Sequence, residues 1–149
     1  MGLFDNVFNA EQGKTNAQLT PAEAFAAVAL VAIAADGYLA EQESRDMTMM
    51  LSRMQLFNSY SGDLMHRMFD RLLSMLKQQG PGDLIALAKE CLPQDLRDTA
   101  FAIATDLVLS DGTVTSQEQA FLDDLYRILE IPGETALQIV QVMTIKNRG

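Results

Sequence analysis

The sequence has one cysteine, no tryptophan and few basic side chains for its acidic ones. Cys91 is the only cysteine, which excludes an intrachain disulfide and a thiolate zinc cluster. A reducing compartment fits, so a cytoplasmic protein is expected. Eleven Lys and Arg stand against twenty Asp and Glu, a net charge of −9. No nucleic-acid partner is expected, because binding a phosphate backbone rests on clustered basic side chains. The acidity favours cations or basic partners instead. Long hydrophobic runs are also missing. The longest, Ala24 to Ala35, spans twelve residues, too short to cross a bilayer, so no integral membrane segment is expected. The opening residues lack a Lys/Arg stretch followed by an apolar one, and no signal peptide is expected. Asn6 stands where a myristoylation signal needs Ser or Thr. Four prolines and nine glycines are too few for a disordered chain, whereas 48% apolar residues suffice for a core.

What is present is helical periodicity. Residues 1–19 read as a flexible arm, with an apolar patch (Leu3, Phe4, Val7, Phe8) followed by the polar stretch Asn9 to Gln18. Thr20-Pro21-x-Glu23 then starts a helix well, with a capping hydroxyl, a proline in the first turn and an acid that complements the dipole. That helix is apolar nearly all round and should lie at the centre of the domain. A second helix is expected over about 41–56, and a third over about 61–79 with apolar residues at spacings of three and four. Gln79-Gly80-Pro81-Gly82 is the clearest breaker. Asp83 is expected to cap a fourth helix ending near Leu92, and Pro93 to open a fifth that reaches Ser110. A sixth over about 116–130 and a last one to about Lys146 complete the chain. The fold expected is all-α, about seven helices in two pseudo-symmetric halves, 20–80 and 81–149, packed as a bundle.

A repeat lies inside these helices. Asp36-Gly37, Leu39 and Gln42-Glu43 match Asp111-Gly112, Val114 and Gln117-Glu118 at a constant offset of 75 residues. Each copy follows a long apolar helix and precedes an amphipathic one, so helix, Asp-Gly turn, helix occurs twice. If the two corners meet, four carboxylates converge: Asp36, Glu43, Asp111 and Glu118. Two carboxylates about 5 Å apart repel by roughly 3 kcal/mol at an effective dielectric near 20, so such a cluster binds a cation, holds protons or spreads. With no Cys or His near in sequence, the ligands are hard oxygens that suit Ca²⁺ or Mg²⁺. The motif matches only the second half of an EF-hand loop. Ala32 and Ala34, or Leu107 and Leu109, stand where the early acidic ligands belong, so an ordinary EF-hand is rejected. Capping is the competing explanation. Thr115-x-x-Glu118 forms a fair capping box, but Ala40 offers no acceptor ahead of Glu43.

The duplicated Ala/Ser-Asp-Gly-x-aliphatic-x-x-x-Glu motif, with the opening Met1-Gly2-Leu3-Phe4-Asp5, resembles the TerB-like tellurite-resistance family of bacterial helical domains. The resemblance covers about residues 20–146. It implies a seven-helix fold of two related halves and an acidic cluster that holds a divalent cation, here Asp36, Glu43, Asp111 and Glu118. Relatives occur in tellurite and chemical-stress operons, sometimes near membranes. That implies a non-enzymatic stress-response module with an unidentified protein partner, and leaves peripheral membrane association and oligomeric state open.

Other candidates are weaker. Asp106 could add a carboxylate to the cluster, though a solvated position is favoured. The segment Pro93 to Glu130 holds eight acidic and two basic residues, a solvated face or a docking surface for a basic partner. Seven of nine methionines fall between Met47 and Met75. Core filling accounts for most, and the alternative is a metal-independent interaction scaffold using a Met-rich face and the arm. His66 reads as a surface residue and Cys91 as a small buried hydrophobe. No nucleophile, phosphate-binding or dinucleotide motif accompanies the carboxylates, so no enzyme is expected.

Overall fold

The computed structural model describes residues 19–34, 39–110 and 114–148. Among them are seven α-helices and no strand. The first, α1 (Pro21–Ala34), begins with a reciprocal capping box. Glu23 N–H donates to Thr20 Oγ1 at 3.1 Å, and Thr20 N–H donates to Glu23 Oε1 at 2.9 Å, satisfying two donors the helix cannot satisfy itself. All eight residues from Ala24 to Val31 are buried. Its alanines let neighbouring helices approach closely, which is why a helix with no polar face becomes the axis of the core.

α2 (Glu41–Ser52) is shorter than its apolar pattern suggests. A 3₁₀ turn over Gln55–Phe57 replaces its expected last turn. Phe57 is buried there, edge-on to Phe25 at 6.3 Å and to Tyr60 at 5.6 Å. Aromatic packing against α1 thus outweighs the propensity to continue the helix. α3 (Gly62–Gln79) is capped by Ser61, whose Oγ accepts from Leu64 N–H, and buries Met65, Met68, Phe69, Leu72, Met75 and Leu76.

α3 and α4 (Pro81–Cys91) abut at Gly80. Its φ of +89° is a conformation that a side chain disfavours, and its N–H closes α3 on Leu76 O at 2.8 Å. Gly80, not Asp83, therefore occupies the N-cap of α4; Asp83 lies in the first turn, where its charge suits the dipole. Pro81 at the first position needs no N–H partner. Leu84, Ile85 and Ala88 of α4 are buried. The two helices α1 and α4 run antiparallel. Leu19 N–H donates to Cys91 Sγ at 3.4 Å at one end, and Val31 shares a pocket with Pro81 and Ile85 at the other. Leu19, the last residue of the expected arm, is itself buried; the rest of that arm lies outside the described residues.

A 3₁₀ turn (Gln94–Leu96) follows Pro93 and leads into α5 (Arg97–Leu109). α6 (Ser116–Ile128) starts at the Thr115 capping box and ends at Glu130, whose φ is +59°. Ile131 N–H bonds Tyr126 O and Glu130 N–H bonds Arg127 O, the Schellman pattern in which glycine usually holds the left-handed position. Lys89 and Arg97 both reach Glu130 Oε1 at 3.2 Å. The last helix, α7 (Gly133–Lys146), packs along α5 in the same direction. Arg97 lies beside Pro132 at one end, and Asp106 meets Lys146 and Asn147 at the other.

Candidate functional site

The two motif copies occupy equivalent places. Glu43 is the third residue of α2, and Glu118 the third residue of α6. α1 and α5 lie side by side and end at the same corner, so the residues just before each Asp-Gly pair come together. One open pocket of about 270 Å³ is lined by Ala32 and Ile33 from α1, Leu107 and Ser110 from α5 and its end, Gln42, Glu43 and Asp46 from α2, and Glu118 from α6. Two of the four expected ligands, Glu43 and Glu118, therefore share a wall-to-wall space. The other two, Asp36 and Asp111, lie outside the described residues, as do Gly37 and Gly112.

Local structure makes the two glutamates unequal. Glu118 accepts Thr115 N–H on Oε1 at 2.9 Å while Thr115 Oγ1 accepts Glu118 N–H at 3.1 Å. One of its oxygens is thus committed to capping, and the other accepts no hydrogen bond among the described residues. Ala40, at the equivalent position before α2, is extended (φ −68°, ψ 147°) and makes no side-chain capping bond. Glu43 is exposed and escapes the reciprocal box that holds Glu118. Asp46 lies one turn further along α2 and accepts Gln42 Nε2 at 2.9 Å. The spacing of three from Glu43 was the available signal for Asp46, which lies outside the repeat. The pocket offers carboxylate, amide and hydroxyl oxygens over an apolar floor. That donor set suits a hard divalent cation, with water completing the shell. Among the described residues no three Asp, Glu, His or Cys side chains stand close enough together to hold a metal ion.

Asp106 belongs elsewhere, and neither a solvated position nor a place in the cluster describes it. It is buried, with Oδ1 accepting Asn147 Nδ2 at 2.8 Å and Lys146 Nζ at 3.2 Å. It fastens the end of α7 to α5. The methionines are mostly core. Met47, Met65, Met68 and Met75 are buried, Met50 and Met54 pack against the core, and Met49 is exposed. His66 is exposed at 3.3 Å from Asp70. Cys91 is half-buried rather than buried, as the acceptor of Leu19 N–H. No helix among the described residues is long and apolar enough to cross a membrane. Comparison with protein-family models, with curated proteins and with solved structures finds no match to this chain.

Proposed function

We propose that the corner between α1–α2 and α5–α6 is a divalent-cation site that couples the two helical halves in a non-enzymatic, TerB-like stress-response module. The observation that carries this reading is the meeting of Glu43 and Glu118, corresponding residues of the two motif copies, on one pocket. Asp111 follows the lining residue Ser110 directly and Asp36 follows Ile33 by three positions, the sequence ground for assigning them as the remaining ligands. A Ca²⁺ or Mg²⁺ ion there draws the first turns of α2 and α6 toward each other. Each turn is a helix N-terminus, whose partial positive charge already offsets some of the carboxylate repulsion. The fold therefore stands without the ion, and the ion adjusts it. Such an adjustment alters the surface formed by α2 and α6, where a protein partner reads the bound state.

The experiment is a thermal melt of chelator-treated protein with and without Ca²⁺ or Mg²⁺. At an ion concentration about 100 times Kd the folded state gains about 2.7 kcal/mol. For a domain of this size that raises Tm by about 5–10 °C. Glu43→Gln with Glu118→Gln is expected to abolish the rise while leaving the starting Tm near wild type, because glutamine still serves a capping box. No rise in wild type, or an equal rise in the double variant, overturns the site.

A further inference from the structure

The last helix is covered on one side only. Of the fourteen residues of α7, Ala136 alone is buried, while Leu137, Val142 and Ile145 are 58%, 57% and 60% exposed. At 100° per residue these three fall within an arc of about 140°. Gln138 and Gln141 lie in the same arc, and residues 137–145 carry no charged side chain. Single exposed leucines are ordinary; three on one uncharged helical face form a patch that calls for a cover.

The beginning of the chain is placed to supply it. Leu19 is anchored on Cys91. Two residues earlier in α4, Lys89 pairs with Glu130, which precedes the Pro132 cap of α7 by two positions. Residues 1–18 thus join the fold at the end of the bundle where α7 begins. The ten residues from Asn9 to Gln18 span up to about 33 Å when extended. α7 is about 21 Å long, so Leu3, Phe4, Val7 and Phe8 reach any point on it. Those four, spaced i, i+1, i+4 and i+5, share one face if helical.

We propose that this apolar face docks on Leu137, Val142 and Ile145 of the same molecule. Tethering decides between this and a second copy. A connection of this length holds the segment at an effective concentration near millimolar, above that of any other chain in ordinary solution.

The test is methyl NMR on the full chain, comparing wild type with Phe4→Ala plus Phe8→Ala. The methyl resonances of Leu137, Val142 and Ile145 are expected to shift, with those of Val31 and Ile85 unchanged and the wild-type spectrum independent of dilution. Unchanged α7 resonances overturn the proposal. So do shifts confined to the Val31–Ile85 pocket, which place the segment elsewhere. So does a wild-type pattern that disappears on dilution together with a dimer, which makes the contact intermolecular. None of these outcomes bears on the cation site, since the variants leave Glu43 and Glu118 untouched.

Discussion

Glu130 holds a backbone conformation that disfavours any side chain, and its carboxylate gives something in return. Hydrogen bonding from Lys89, then the charges of Lys89 and Arg97, hold its pKa below the usual glutamate range. A depressed carboxylate stabilises the fold above its unfolded pKa, and that contribution fades as pH falls through the folded value. The side chain is 63% exposed, so solvent screens much of the pairing. Glu130→Gly relieves the left-handed strain and forgoes the pairs. We expect Tm to rise by about 2–4 °C at pH 4, with a smaller rise at pH 7, read by melts at both values. A variant less stable than wild type at pH 4 contradicts this. Residues such as Glu130 and Asp106 were the least legible part of the sequence. Asp106 is buried because Asn147, 41 positions away, donates to it. No local pattern encodes a partner at that separation.

At the scale of single helices the sequence was much more readable, since caps and apolar spacing act over a few residues. Thr115 with Glu118 forms the box its spacing suggests, and Thr20 caps α1 as expected, with Glu23 closing a second box rather than only complementing the dipole. The errors fall where tertiary packing decides, as at Phe57, which ends α2 early by turning into the core. Ala40, at the position equivalent to Thr115, carries no capping side chain. Its extended conformation already suits a cap, so Ala40→Thr completes a box with Glu43. We expect about 1 kcal/mol of added stability, or about 2–4 °C in Tm. Because one oxygen of Glu43 then accepts a backbone N–H, the response to Ca²⁺ or Mg²⁺ should shrink. A gain in Tm with an undiminished response argues that the oxygen of Glu43 taken into the box is not a ligand atom. The missing cap, on this reading, leaves Glu43 available at the cost of a looser α2.

Across the whole molecule, the repeat was legible as sequence, and the structure adds that its two glutamates face one space. Their convergence depends on α1 and α5 lying side by side, a relation that residue spacing alone does not contain. The same contact has a further consequence. α1 belongs to the first half of the chain, yet it buries its whole middle against α4 and α5 as well as α2 and α3. The motif is doubled, but the hydrophobic interior is single. Peptides 1–80 and 81–149 prepared separately should show little helical circular dichroism, because each lacks the surface that shelters its apolar residues. Mixed, they should regain it in a concentration-dependent way; two fragments each melting cooperatively alone would contradict this. Evolutionarily, such a chain is free to vary its two corners independently, whereas neither half can be lost or exchanged without the other.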